Sequence, residues 1–413
     1  MPSAPSDPRA PGLAPGFAAQ PLLGCTVAVT ADRRREDLAA LLRRRGARVL
    51  ETPTLKLVPL EDDTELRAAT AECLRAPLDY AVATTGRGWR GWISAAEGWN
   101  WADALQTTLA GATIVSRGPK ATGALRASGL HEHFAAASEL CSEVLAWLRT
   151  QEIAGKRIAV QQYGTTDPAV DCDLAAELRE AGAEVIAVPV YRWGPPEDRT
   201  AVSRLIDAIA GREVHAVAFT SAAGAAALLD AAAAAGPEAS ERLLQALRTD
   251  VVAACVGAVC ARPFEELDVP TVQPERSRLG ALAAELCVQV PARVRRSIET
   301  EDGRILVVQG NAAAVVVQGD AAAAGGEAVV LPPVLAAVLA ELARRPGLVV
   351  SRADLLRRGW GPRTAFPATG GRDEHVVEVS IARLRTALGP GGDLIRTVTK
   401  RGYRLAVHPE TSR

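Results

Sequence analysis

Residues 377–405 read VEVSIARLRTALGPGGDLIRTVTKRGYRL. Val377, Ile381, Leu384 and Leu388 recur at helical spacing, which predicts a helix that buries one face and leaves Ser380, Arg383 and Arg385 off the apolar stripe. Gly389 supplies a helix stop, and LIRTVTKRGYRL predicts two short strands around a basic turn with Lys400 and Arg401 near its tip.

The residues upstream complete a small domain. Ser351 is placed to cap a helix over SRADLLRRGW. Before it, LPPVLAAVLAELARRPGLVV has prolines at 332 and 333 near a helix start, apolar residues at 335, 338, 339 and 342, and Gly347 past the end. RILVVQGNAAAVVVQGD and EAVVL, between Arg304 and Leu331, predict a small antiparallel sheet. A sheet, three helices and a basic hairpin make a winged helix-turn-helix. Charge agrees: residues 293–413 carry 18 Lys and Arg against 12 Asp and Glu, whereas residues 1–292 carry 29 against 36. A net charge near zero for the whole chain thus hides one cationic part suited to a polyanion.

Residues 304–405 resemble the DNA-binding domain of the OmpR/PhoB response-regulator family, through the ordered pattern of a PGxVVSR turn, VxVxIxRLRxxL and IxTVxxxGYRL. The resemblance implies double-stranded DNA as partner. It implies that Ser380, Arg383 and Arg385 face the major groove, that Lys400 and Arg401 tip the wing, and that His375 and Thr397 join the contacts. Where the family wing commonly reads RGxGY this one reads TKRGY, and Ala382 stands where an arginine is common. The long connection GPRTAFPATGGRDEH corresponds to one that can touch RNA polymerase, or it is a plain flexible loop. Related domains often pair on tandem sites, but no dimerisation helix is identifiable.

The first 290 residues contain a repeat. TVAVTADRRREDLAALLRRRGARVLETP (26–53) parallels RIAVQQYGTTDPAVDCDLAAELREAGAEVIAVP (157–189); DYAVATTGRGWRGW (79–92) parallels VHAVAFTSAAGAAALL (214–229); TIVSRGPKATGALRASGL (113–130) parallels VVAACVGAVCARPFEELDVP (251–270). Each pair alternates strand and helix at nearly the same offset, which predicts a duplicated α/β unit: two lobes with parallel sheets and a cleft between them. Thr84, Thr85, Gly118, Lys120, Gly164, Thr165, Thr220, Ser221 and Gly257 fall at or beside strand-to-helix turns. Residues of these types there serve either as plain helix caps or as donors to a carboxylate or phosphate ligand.

The ordered motifs ATTGRG, RGPKATGAL, VPVYRW, AFTSAAG and CVGAVCAR, together with the duplication, resemble uroporphyrinogen-III synthase over residues 22–290. The resemblance implies one lobe from 22–53 and 195–290, a second from 79–188, and no cofactor. It implies a reaction in which hydroxymethylbilane, bearing eight carboxylates, loses water and closes with inversion of its last ring. Tyr191 then matches a phenol that hydrogen-bonds the departing hydroxyl, or else a cleft-wall aromatic; Thr85, Arg87, Gly118 and Ser221 match cleft-lining positions. Departures bear on catalysis: Val259 and Cys260 stand where the family commonly has Thr-Thr, and Ala121 precedes Thr122 where the hydroxyl usually comes one residue earlier.

The expected fold is therefore a two-lobed α/β module, residues 22–290, followed by a linker at 291–303 and a winged helix at 304–408, with residues 1–21 a disordered tail. No apolar run reaches the ~18 residues of a membrane span, and the Pro- and Ala-rich start lacks a signal-peptide pattern, so a cytoplasmic protein without membrane contact is expected. Seven cysteines show no CxxC pair and two histidines in HEH lack further ligands; no metal is expected. The leading expectation is a transcriptional regulator whose cleft binds a small anionic effector. By resemblance to actinobacterial fusions, nitrate and nitrite assimilation genes or tetrapyrrole genes are its expected targets. The alternatives are an active synthase with a DNA-binding appendage, and a periplasmic-binding-protein-like sensor of another ligand.

Overall fold

A computed structural model describes residues 14–59, 63–162, 172–317, 327–360 and 372–407. Every residue of Thr26–Val29, Ala216–Phe219 and Val252–Cys255 is buried, so these strands read as unbroken apolar runs and not as alternations. That pattern belongs to a parallel sheet covered on both faces. Lobe 1 is such a sheet, in the spatial order Thr271–Val272, Val252–Cys255, Ala216–Phe219, Thr26–Val29, Arg48–Glu51. Leu205, Leu228, Leu243 and Phe264 close one face; Leu38, Leu42, Leu282 and Leu286 close the other.

Lobe 2 has the order Phe134–Ala135, Thr113–Ser116, Tyr80–Ala83, Arg157–Gln161, Glu184–Val188, again all parallel. Superimposing the repeat, 26–53 falls on 157–189 and 214–229 on 79–92, so both lobes share one topology with lobe 1 permuted in sequence. The duplication is thereby visible in the fold. An antiparallel ribbon, Lys56–Pro59 against Tyr191–Gly194, carries the chain from one lobe to the other and back.

Three boundaries differ from expectation. Helix Thr64–Arg75 packs Leu66 and Cys73 into the lobe 2 core, so this lobe begins earlier than residue 79. The expected linker at 291–303 is absent: helix Leu279–Val294 runs directly into strand Arg295–Glu299, which opens the winged-helix sheet. The described part of the expected tail is ordered, because Pro15–Ala19 is a helix whose Phe17 is fully buried.

The C-terminal domain has an antiparallel sheet of Arg295–Glu299, Arg304–Gln309, Ala312–Val317 and Val329–Val330, in that order. Helices Pro333–Arg344, Arg352–Trp360 and Arg372–Ala387 follow, then the wing of Ile395–Val398 against Gly402–Leu405. Ser351 caps the middle helix, its Oγ accepting from the Asp354 N–H at 3.1 Å. Leu306, Leu335, Leu339, Leu355, Val377, Ile381, Leu384 and Tyr403 share one core. Tyr403 also exchanges backbone hydrogen bonds with Val350, pinning the wing to the helices.

Candidate functional site

In each lobe the strand order reverses direction once, between Ala216–Phe219 and Thr26–Val29 in lobe 1 and between Tyr80–Ala83 and Arg157–Gln161 in lobe 2. Crevices at the carboxyl ends of strands at such points are where open α/β sheets hold ligands. The residues there are Thr30 to Arg33, Thr220 and Ser221 on lobe 1, and Thr84, Thr85 and Gln161 on lobe 2.

Thr85 and Ser221 are helix caps, their hydroxyls accepting from Gly88 N–H at 3.0 Å and Gly224 N–H at 3.2 Å. Thr84 is buried and donates to the Gln161 carbonyl at 2.6 Å, which removes it from the ligand-facing set. Gly118 and Gly257 cap helices in extended backbone, and a Cβ on either would press against Glu139 or Ser277. Arg87 and Lys120 are exposed, and Thr220 is half-buried. Gly164 and Thr165 lie outside the described residues. Thr122 turns back onto strand-end Ser116, hydroxyl to hydroxyl at 2.9 Å.

Tyr191 sits on the crossing ribbon, nearly buried, with its phenol 3.3 Å from the Thr85 hydroxyl of lobe 2 and its ring edge-on to Trp193. Burial pushes the phenol above its usual range, against the opposing pull of the Thr85 hydrogen bond and of Arg117, Arg87 and Arg33. The phenol is therefore neutral near pH 7 and keeps a proton that it can donate. Arg33 comes from lobe 1 and Arg87 and Arg90 from lobe 2, yet burial and the other two cations together lower the Arg33 pKa. Arg33 thus feels like charge from lobe 2 that Asp32 beside it offsets in part, an arrangement that a multiply charged anion would relieve.

Arg33, Arg90, Arg117 and Gln161 escaped the sequence reading. The run DRRRED directly after a buried strand carried a signal for Arg33. Gln161 is fully buried and its Oε1 accepts from the Thr85 N–H at 3.0 Å; a Cβ on Gly88 would lie 2.0 Å from its side-chain nitrogen. This glutamine holds the lobe 2 edge of the cleft in place.

On the winged helix, Arg383 and His375 are exposed along the third helix and Thr397, Lys400 and Arg401 along the wing. Lys400 takes a left-handed conformation at the hairpin tip. Two expectations need correction. Ser380 is buried, facing the core beside Ile381 and Leu384, so it does not project toward a groove. Arg385 folds back: its guanidinium donates to the Ile395 carbonyl at 2.6 and 3.1 Å and to the Thr397 hydroxyl at 2.9 Å, joining third helix to wing. The outward face is instead made by His375, Val379, Ala382, Arg383 and Thr386. The segment considered for RNA polymerase falls mainly at 361–371, outside the described residues.

Among the described residues no cluster of three metal-ligand side chains occurs, and no helix is long and apolar enough to cross a membrane.

Residues 36–284 match the family described as Uroporphyrinogen-III synthase HemD, and residues 326–405 match the family described as Transcriptional regulatory protein, C terminal. The uncharacterized protein YjjA of Bacillus subtilis (strain 168) is 29% identical over 269 residues, which is 64% of this chain and 96% of that protein. The transcriptional regulatory protein CseB of Streptomyces avermitilis is 40% identical over 80 residues, 19% of this chain and 31% of CseB, so that likeness is confined to the C-terminal domain. A mutant uroporphyrinogen III synthase from the extremely thermophilic bacterium Thermus thermophilus has the same fold over 63% of this chain and 96% of its own, with a TM-score of 0.54 at 28% identity.

Proposed function

We propose, from the premise that the chain belongs to the uroporphyrinogen-III synthase family and ends in an OmpR/PhoB-type DNA-binding domain, that its cleft serves as the sensor of a transcriptional regulator. The observation that carries this reading is the pairing of two binding surfaces in one chain. One is a cleft in which Tyr191 pairs with Thr85 and the charges of Arg117, Arg87 and Arg33 act on its phenol. The other is a third helix with Arg383 exposed, beside a wing tipped by Lys400 and Arg401. The effector is a small polyanion of the tetrapyrrole type, and the targets are tetrapyrrole or nitrate and nitrite assimilation genes. His375, Arg383, Thr397, Lys400 and Arg401 contact DNA, base edges giving sequence preference and phosphates giving register.

Mapping the sites the full-length protein occupies on genomic DNA, then titrating one site with and without uroporphyrin as an octacarboxylate probe, tests the reading. DNA affinity should change severalfold with the probe, and Arg33→Ala combined with Arg87→Ala should abolish that response. No specific site anywhere, or a site whose affinity ignores every anion tried, would remove the sensor role.

The Tyr191–Thr85 pair at the hinge favours a second reading, a working synthase with a DNA-binding appendage. Against it, Val259 is half-buried and lacks a hydroxyl at the last turn, and Cys260 is buried with its backbone carbonyl bonded by Cys255. Incubation with fresh hydroxymethylbilane separates the two: formation of the type III isomer above the spontaneous type I background supports the enzyme.

A further inference from the structure

Residues 14–25, which join the end of the expected tail to the start of the expected α/β module, sit at the junction of lobe 1 and the winged-helix sheet. Phe17 is fully buried among Ile305, Val307, Ala312 and Ala314 of that sheet, with the Arg295 guanidinium 5.5 Å above its ring. Gln309 of the same sheet is also fully buried; its side-chain nitrogen donates to the carbonyls of Pro21 at 2.8 Å and Leu23 at 2.9 Å, while its Oε1 accepts from Arg295. The Asn311 N–H donates to the Gly24 carbonyl at 2.8 Å. Gly24 has φ +78°, and a Cβ there would lie 2.4 Å from the Ala312 nitrogen, so only glycine permits this approach.

The other side of the strap is built into lobe 1. Leu22 and Cys25 are fully buried in its core, and the Leu22 N–H donates to the Arg45 carbonyl. The last helix of lobe 1 continues without a break into the first strand of the winged helix. Burial works to raise the Asp250 carboxyl of lobe 1, and the Arg212 and Thr249 hydrogen bonds hold it low, with a smaller pull from the charge of Arg344 on the winged helix. Lobe 2, by contrast, is joined to lobe 1 through the two-stranded ribbon.

We propose that residues 14–25 clamp lobe 1 and the winged helix into one rigid body, so that lobe 2 is the part that moves when the cleft closes. Separately folded domains usually move relative to one another unless their interface is large and apolar. Here the apolar cluster of Ala14, Phe17, Ile305, Val307, Ala312, Ala314 and Val316, the buried Gln309 amide and the unbroken helix-to-strand connection together hold the two parts, and hinge motion is left to the ribbon. Strands Thr26–Val29 and Ala216–Phe219 run from the clamp, at Thr26 and His215, to the cleft, at Thr30 and Thr220. Anion capture is therefore reported to DNA as a change in where lobe 2 stands beside the DNA-reading surface. That last step rests on the sensor reading above; the rigid coupling does not.

Double electron–electron resonance on the full-length protein tests the clamp, with spin labels on unnatural amino acids so that the native cysteines stay unlabelled. Labels at Glu241 of lobe 1 and Arg357 of the winged helix should give one distance as narrow as the within-lobe pair Glu36 and Glu241, unchanged by uroporphyrin. Phe17→Ala combined with Gln309→Leu should broaden it at least twofold. A wild-type Glu241–Arg357 distribution at least twice as broad as the within-lobe pair overturns the proposal, whether or not the variant folds. The pair Glu152 and Arg357 reports lobe 2 independently: a distance there indifferent to the probe speaks against the sensor reading and leaves the clamp to the first pair.

Discussion

Arg383 and Arg385 lie two residues apart on the same helix, and the structure gives them different work. Replacing Arg385 with alanine removes the hydrogen bonds to Ile395 and Thr397 and leaves the Ile395 carbonyl without that partner. Hydrogen bonds from a charged donor contribute about 1.5–3 kcal/mol, but here two share one acceptor and the guanidinium is half-exposed, so water recovers part. A cost of about 1–2 kcal/mol follows, enough to lower the melting of a domain of this size by roughly 4 °C or more. Arg383→Ala touches no such bond and should change stability by less than about 0.5 kcal/mol. It should instead cost about 1–3 kcal/mol of DNA affinity, roughly 5- to 150-fold, if its fork reads a guanine edge. Thermal melting alongside fluorescence-anisotropy titration of a mapped site measures both. Arg385→Lys, unable to reproduce the fork, should fall between wild type and alanine in melting temperature. An Arg383→Ala variant that lowers the melting temperature as far as Arg385→Ala does, while binding DNA normally, would refute this division of roles.

Gly402→Ala should destabilise the winged helix by about 2 kcal/mol or more in urea denaturation, since Gly402 has φ +135° and a Cβ would lie 2.0 Å from the Val350 carbonyl. His215 accepts the Thr26 N–H through Nδ1 at 2.9 Å, and burial holds its imidazole below the usual range. The unfolded chain then takes up the proton first, so stability is complete above the unfolded pKa of about 6.5 and drains away as pH falls from there through the folded value. His215→Gln keeps an acceptor without the titration, and the slope of its denaturation midpoint between about pH 5 and 7 should be flatter than wild type. Tyr191→Phe should leave effector-free DNA affinity within about twofold while lowering any type III isomer formation by roughly 100-fold, the scale of a lost proton donor. Gln161→Leu should cost about 1–3 kcal/mol in the unfolding of lobe 2, because the Thr85 N–H loses its acceptor.

The repeat and the winged helix were legible because both rest on periodicity. Buried parallel strands are continuous apolar runs, and 3.6-residue spacing marks the third helix whatever packs against it. What was misread on that helix follows from the width of the stripe. At about 100° per residue, Val377, Ile381, Leu384 and Leu388 centre on one direction, and Ser380 and Arg385 each stand about 70° to either side of it. Those flanks are boundary positions. A small serine there is covered by the core, and a long arginine curls round to the nearest acceptor, which the wing provides. Arg383, about 130° from the centre, has no such recourse and stays exposed. Counting every residue off the stripe as outward therefore overstates the DNA-facing set by its two flanks.

The strap fails for another reason. Phe17 is one aromatic in a Pro- and Ala-rich stretch, and the strands that bury it begin almost 290 residues later. No local pattern can announce a partner at that distance. Nor can one announce that Arg33 feels the charges of Arg87 and Arg90, since each lobe alone carries ordinary surface arginines there and the repulsion arises once the ribbon has brought the lobes together. If that repulsion is what selects the ligand, replacing Arg33 alone should weaken uroporphyrin binding more at low salt than at high salt, because the loss is of long-range attraction that mobile ions otherwise screen. Equal losses at about 0.02 M and 0.5 M salt, measured by fluorescence quenching, would assign Arg33 a local contact and remove the cross-lobe argument.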